Sequence, residues 1–298
     1  MRRGSRSPWR PIRAPSSAGG SPSIAAAGVT RVSLGAQSFD ARRLEALGRI
    51  HSPHDTRRAA EELHAAGLDN FNLDLMYGIP EQDAAGAVAD IEAALSLAPA
   101  HLSHYQLTLE PGTPFAASPP RLPDEDTIER MLASCRERLE AEGFAQYEVS
   151  AYARPGRQCW HNRNYWTFGD YLGIGAGAHG KLTNASAREV ARTRQAREPR
   201  RYLASAAGGV GNCVVVAAEQ LPFEFMLNAL RLSEGFGPRL FSSRTGLPWA
   251  AVEPAVRRLM ARDLIVEDRG YYRASPLGWR FLNDVLLSFL PESPKSIG

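Results

Sequence analysis

Three groups of residues in this sequence have the types and spacing to do chemistry. The first is Gln37, Asp74 and Thr108, each near the C-terminal end of a segment in which apolar and polar residues alternate. Arg49 follows the first segment closely enough for its guanidinium to meet a carboxylate. An amide, a carboxylate, a hydroxyl and a guanidinium together suit a polar, zwitterionic small molecule. The competing reading is that Gln37 and Asp74 only satisfy buried backbone groups, because polar faces on buried strands need partners. The second group is Cys159-Trp160-His161-Asn162-Arg163-Asn164-Tyr165-Trp166. It sets two iron-ligating residue types among aromatic rings, as a porphyrin pocket does. It reads equally as a loop pinned by aromatic anchors. The third is Gly173-Ile174-Gly175-Ala176-Gly177-Ala178-His179, where glycines let backbone approach a ligand closely. It does not sit at a first strand, as a dinucleotide fingerprint must. His179 either faces that ligand or caps the turn.

The elements that must position these residues follow a strand-then-helix rhythm. Strands are expected over Arg31–Phe39, Phe71–Tyr77, Leu102–Glu110 and Gln146–Tyr152. Helices are expected from a Ser52 N-cap with Pro53 to a stop at Gly67, over Ala84–Leu97, and from Glu125 to Gly143. Alternating strands and helices indicate a parallel α/β sheet. Strands of an ordinary doubly wound sheet are apolar on both faces. Each strand here keeps a polar face, as in a barrel with a polar lumen. Complete barrels take about 250 residues, so this one reads as partial. Residues 183–212 read as an Ala-, Arg- and Gly-rich connector. Beyond it, helices near Phe223, over Pro238–Thr245 and over Pro248–Arg262 precede a hairpin turning at Asp268-Arg269-Gly270 and a last helix over Pro276–Leu290. That order is winged-helix-like.

Composition bounds the rest. With 298 residues, 44% hydrophobic and 22% charged, the chain is an ordinary globular sequence with a net charge of +3, too small to call for a nucleic-acid partner. No apolar run approaches the ~20 residues that span a bilayer. Asp40 is the first acidic residue, after an Arg-, Ser- and Pro-rich start. That start has the composition of a transit peptide, but Pro8, Pro11, Pro15 and Pro22 break the helix such a peptide needs. Residues 1–26 therefore read as disordered or aberrant. Cys135, Cys159 and Cys213 form neither a disulfide framework nor a metal pair, which fits a reducing cytoplasm.

At the level of motifs the chain resembles a known family. Val32-Ser33-Leu34-Gly35-Ala36-Gln37-Ser38-Phe39, Leu47-Gly48-Arg49, Asn72-Leu73-Asp74-Leu75-Met76-Tyr77-Gly78-Ile79-Pro80 and Tyr105-Gln106-Leu107-Thr108-Leu109-Glu110-Pro111-Gly112-Thr113 occur in order. They resemble the second half of the radical S-adenosylmethionine barrel in oxygen-independent coproporphyrinogen III oxidases and their relatives. His161-Asn162-Arg163-Asn164-Tyr165-Trp166 is similar to the signature of the heme-chaperone branch, the HemW type. Tyr147-Glu148-Val149-Ser150 and Gly175-Ala176-Gly177-Ala178-His179-Gly180 fit as well.

The resemblance implies a partial (β/α) radical-SAM-type barrel over residues 27–182 and a small winged-helix-like domain over residues 213–298. It implies that Gln37, Arg49 and Asp74 bind S-adenosylmethionine, that Thr108 and His179 approach the same ligand, and that His161 meets heme. Family members begin with a C-x-x-x-C-x-x-C-type motif for a four-iron four-sulfur cluster. This chain has no such motif, and the expectation is an N-terminally truncated member that binds no cluster and lacks catalytic competence. The function expected is a cytoplasmic heme chaperone that binds heme and passes it to an acceptor protein. One alternative is a coproporphyrinogen III oxidase of porphyrin biosynthesis. Another is a DNA-binding winged helix with Arg257, Arg258 and Arg262 on phosphates, residues that also suit a solvated helix face.

Overall fold

The alternation read in the sequence builds three strands, β1 (Val32–Gln37), β2 (Phe71–Tyr77) and β3 (His101–Gln106), which pair in parallel in that order. The computed structural model describes residues 20–112, 114–184, 186–205 and 211–291. Parallel neighbours need crossovers. Helices α2 (Ala41–Ala46) and α3 (Pro53–Ala65) connect β1 to β2, and α4 (Ala84–Leu95) connects β2 to β3. Helices α5 (Pro114–Ala117) and α6 (Glu125–Ala141) follow β3. Asp40, Ser52, Asp83 and Asp124 cap α2, α3, α4 and α6 by accepting first-turn N–H groups. Ser52 and Asp55 complete a capping box, and loss of such a cap costs about 1 kcal/mol.

Phe71, Leu73 and Leu75 are fully buried and join Ile91, Leu102, Met131, Cys135 and Leu139 in one core. Burying each large apolar side chain contributes about 1.5–3 kcal/mol. The opposite sheet face is polar: Ser33 lies beside Asn72, Asn72 beside His101, and Asp74 beside Ser103. The expected strand over Gln146–Tyr152 is two strands, β4 (Ala145–Glu148) and β5 (Ala151–Ala153). β5 runs antiparallel to β3, so the five-stranded order β1-β2-β3-β5-β4 is mixed rather than wholly parallel. Among the described residues this sheet is open. The expectation of disorder over residues 1–26 is corrected for its last part. Gly20–Ala26 is a helix, α1, whose Ile24 and Ala25 pack on the same core. Residues 1–19 lie outside the described residues.

The chain divides into two compact units near Gln158, with Tyr147–Val149 belonging to the second. The expected boundary at residue 182 is therefore too late. The Tyr147 hydroxyl accepts from the Cys159 N–H at 3.4 Å and from Asn162 Nδ2 at 3.2 Å, which ties the segment after Cys159 into the second unit.

The second unit opens with α7 (Trp160–Trp166). The expected connector over residues 183–212 is instead structured. Strands β6 (His179–Asn184), β7 (Glu189–Arg194) and β8 (Asn212–Val215) form an antiparallel sheet, with α8 (Pro199–Ser205) between the last two. Then come α9 (Leu221–Ala229), α10 (Pro238–Thr245), α11 (Glu253–Met260), the hairpin β9 (Ile265–Asp268) and β10 (Tyr271–Ala274), α12 (Pro276–Arg280) and α13 (Leu282–Leu287). Arg269 and Gly270 both have positive φ, 51° and 83°, as a two-residue type I′ turn requires. Phe225 anchors this core through edge contacts to Phe168, Phe236 and Phe241 at 5.8, 5.0 and 5.2 Å. Two expected long helices are interrupted. A 3₁₀ turn over Trp249–Ala251 precedes α11, and Phe281 separates α12 from α13.

Candidate functional site

On the polar face of the first unit, Gln37 ends β1 in a left-handed conformation with φ 64°. Its Oε1 accepts from the Tyr105 hydroxyl at 2.9 Å, and its side chain is buried. A Cβ on Gly35 would lie 2.9 Å from Gln37 Nε2, so only glycine leaves the amide in place. No described side chain or backbone group accepts from that Nε2. Asp74 accepts from Ser33 Oγ at 3.0 Å and from Asn72 Nδ2 at 2.8 Å. Asn72 Oδ1 in turn meets His101 Nδ1 at 2.6 Å and accepts from Ser103 Oγ at 3.2 Å. Burial, then the Arg31 charge, pushes His101 down to about 3, so it is neutral at physiological pH. Burial raises the Tyr105 pKa, Asp74 raises it further, and Arg49 and the Gln37 bond oppose this. Both charged groups therefore act on the phenol beside Gln37.

The structure thus brings Gln37 and Asp74 onto one polar face, with Arg49 exposed and in electrostatic reach of Tyr105. Thr108 lies beyond the end of β3, exposed, its hydroxyl donating to Glu110 at 3.3 Å. Sequence reading missed Tyr105, Ser103 and His101, because Thr108, read as a polar-face residue of a strand over Leu102–Glu110, puts His104 and Gln106 on that face by alternation. His104 instead lies on the core face, its ring 4.5 Å from that of Tyr77. A free amide donor beside an open glycine, a fixed carboxylate and a nearby guanidinium fit a nucleoside bearing a zwitterionic tail.

In the second unit, α7 has no apolar periodicity, yet it is a helix rather than a loop. His161 is exposed on it, with its ring 5.4 Å from Tyr165. Tyr165 stacks on Tyr171 at 4.2 Å, and Trp160 is 84% exposed, an unusual degree for an indole. The Arg231 guanidinium sits 4.5 Å over the Trp166 ring, a cation–π contact. The segment after α7 is held by Lys181, which is buried. Its Nζ donates to Phe168 O, Asp170 Oδ1 and Thr183 Oγ1 at 2.8, 2.9 and 2.8 Å. Burial lowers the Lys181 pKa, against the pull of Asp170. The helix therefore presents an imidazole and aromatic faces outward from a pinned base.

Two glycines in and beside the glycine-rich stretch are required by the chain's own packing. A Cβ at Gly173 would meet His179 backbone at 2.5 Å, and one at Gly180 would meet Thr193 Oγ1 at 2.3 Å. These glycines admit the chain's own backbone. His179 is exposed at the start of β6, paired with Arg194.

The cysteines do not fit an iron–sulfur cluster. Cys135 is fully buried in α6, where burial pushes its thiol to about 12; Cys159 precedes α7; Cys213 is exposed on β8. Among the described residues no three His, Cys, Asp or Glu side chains converge as metal ligands. A four-iron cluster needs closely placed thiolates.

Comparison with known proteins agrees with this division. The family model described as the Radical SAM superfamily matches residues 22–94, and the HemN C-terminal domain matches residues 216–281. The heme chaperone HemW of Escherichia coli is 45% identical over 272 residues, 89% of this chain and 70% of the relative. The HemW of Haemophilus influenzae is 41% identical over 270 residues, 89% and 69% of the two chains. The mouse protein named Radical S-adenosyl methionine domain-containing protein 1, mitochondrial, is 34% identical over 290 residues. The chain spans about 70% of the two bacterial relatives. Among solved structures, E. coli coproporphyrinogen III oxidase (HemN), a radical SAM enzyme, superposes with a TM-score of 0.70 at 16% identity. That likeness covers 89% of this chain and 65% of the oxidase, and it is one of fold.

Proposed function

The chain belongs to the HemW family of the radical SAM superfamily, and from that premise we propose that it binds heme on the second unit and hands it to an acceptor protein. The observation that carries this is α7: His161 lies exposed beside Tyr165, which stacks on Tyr171, and Trp160 is exposed on the same short helix. An exposed imidazole can ligate iron, and adjacent aromatic faces can cover a porphyrin edge. A carrier must also release its cargo. A ligand on a surface helix, rather than in a closed pocket, leaves one heme face open to a recipient.

The first unit holds S-adenosylmethionine in this reading, through Gln37, Arg49 and Asp74, with Thr108 as a further contact; His179 belongs to the second unit. Gln37 Nε2 supplies a donor, the Asp74 carboxylate an acceptor, and Arg49 a charge for the ligand's carboxylate. In radical enzymes this ligand supplies an adenosyl radical when an iron–sulfur cluster reduces it. The three cysteines here do not provide that cluster, so no catalytic step is assigned. Among the described residues no helix is long and apolar enough to cross a membrane. Free cysteines support a cytoplasmic location in this reading. Titration with hemin, followed by the Soret band, tests the proposal. Saturable binding at one heme per chain supports it, and a linear, non-saturating rise contradicts it.

A further inference from the structure

Helix α4 carries a carboxylate where an apolar residue is the default. Asp90 lies on its buried stripe with Ala87, Ile91 and Ala94, and is 4% exposed. A buried charge persists only when it is well partnered. The Asp90 partners converge on one short stretch of backbone. Ser38 Oγ donates to its two oxygens at 3.0 and 2.9 Å, and the Phe39 N–H donates at 2.6 Å. Ser38 Oγ also accepts from the Asp40 N–H at 3.1 Å. Gln82 Nε2 donates to the carboxylate at 3.3 Å, and Arg43 lies 3.6 Å away. One side chain on α4 therefore grips residues 38, 39 and 40.

The residue just before that grip is Gln37. The Ser38 N–H bonds back to Ala36 O at 2.8 Å while Gln37 has φ 64°. A bond from residue i+2 to i around a positive φ is a γ-turn of the rare, strained kind. Such strain persists only where surrounding structure over-determines it, and it gathers at ligand sites. His51 Nε2 meets the Ala36 carbonyl from the other side at 3.1 Å. The strain lies between two clamps, and Asp90 is the one that reaches past Gln37.

We propose that Asp90 is the positioning residue of the ligand site: its carboxylate holds the Ser38–Asp40 backbone so that Gln37 stays in its strained turn with Nε2 presented to the ligand. The proposal rests on the reading that Gln37 faces a nucleoside. Asp90 itself touches no ligand. It acts through a turn on β1 that contains no other buried acceptor for the Ser38 hydroxyl among the described residues.

The test is a double-mutant cycle on the full chain, with S-adenosylhomocysteine as the probe and calorimetry as the readout. Asp90→Ala lowers affinity by up to about fivefold, the effect of one mispositioned hydrogen bond. In a Gln37→Ala background the same change lowers it no further, because its only route to the ligand is gone. Asp90→Asn keeps one acceptor oxygen and recovers part of the loss. Amide exchange at Ser38 rises in Asp90→Ala without ligand, while β2 amides stay protected. If Asp90→Ala does not fold, Ser38→Ala carries the same expectations, since it removes the hydroxyl link alone. An unchanged affinity, an equal loss in both backgrounds, or unchanged Ser38 exchange overturns the proposal. Absence of binding by the unaltered chain instead overturns the ligand assignment, and the proposal with it.

Discussion

Gly35→Ala separates a role in ligand binding from a role in the fold. Gly35 is exposed on the polar face of β1, and it has no left-handed φ to protect. The new methyl would sit 2.9 Å from Gln37 Nε2, and it has no other neighbour within 4 Å. The Gln37 amide must shift, which weakens its bond to Tyr105. That costs at most about 1 kcal/mol of stability. Replacing glycine by alanine returns about 0.4–1 kcal/mol by restricting the unfolded chain. The two nearly cancel, so the melting temperature moves by less than about 4 °C. Ligand binding has no such compensation. A ligand acceptor that loses Gln37 Nε2 gives up about 1 kcal/mol, roughly fivefold in affinity. Calorimetry with S-adenosylhomocysteine and a thermal melt on the same protein measure both. Unchanged affinity would remove Gln37 from the site, and a collapse in melting temperature would show that Gly35 serves the core instead.

Three further outcomes follow from the geometry. Anaerobic reconstitution with iron and sulfide yields no stoichiometric four-iron cluster; iron and sulfide analysis at four of each per chain would refute the poor fit of Cys135, Cys159 and Cys213. Burial depresses His101 and His104 to about 3 from an unfolded value of 6.5, so the unfolded chain takes up protons that the folded chain refuses once pH falls below 6.5. Each histidine then removes about 2 kcal/mol of stability at pH 5 relative to pH 7, and His104→Phe flattens the melting profile between those values; an unaltered slope refutes this. Lys181→Met strips donors from Phe168 O, Asp170 and Thr183 and destabilises the second unit by about 2 kcal/mol, less than a fully buried pair because Asp170 stays partly in water; a melt within a degree of the parent contradicts it.

Much of the architecture was legible because local chemistry and tertiary packing agree there. Phe71–Tyr77 and Pro238–Thr245 carry clean period-2 and period-3.6 patterns, and both elements have the bounds expected. Asp268-Arg269-Gly270 announced a hairpin through its turn residues. Legibility failed where side-chain type and burial part company. His104 looks polar, yet as a neutral ring it packs in the core, which inverted the reading of β3 and hid Tyr105. Lys181 occupies a core position in β6 through hydrogen bonds rather than apolarity, so the β6–β8 sheet read as a connector. Helix α7 is held by Tyr147 and by the Lys181 anchor behind it, and no periodicity in its own residues reveals that. Gln37 and Asp74 were visible as polar-face residues. Asp90 was not, since a helix pattern gives no hint that one buried position reaches another strand's turn.

The proposed function makes His161 on α7 a heme ligand rather than an aromatic-packed anchor. Its ring is exposed at the first turn of a helix, where alanine is a good helix former, so His161→Ala preserves the fold. The direct measurement is a hemin titration and a thermal melt on the same preparations of the parent chain, His161→Ala and the exposed control His54→Ala. Ligation by His161 predicts a shifted Soret band and weakened heme binding in His161→Ala alone, with all three melting together. An unchanged Soret band and affinity in folded His161→Ala, or a loss shared equally by His54→Ala, contradicts it.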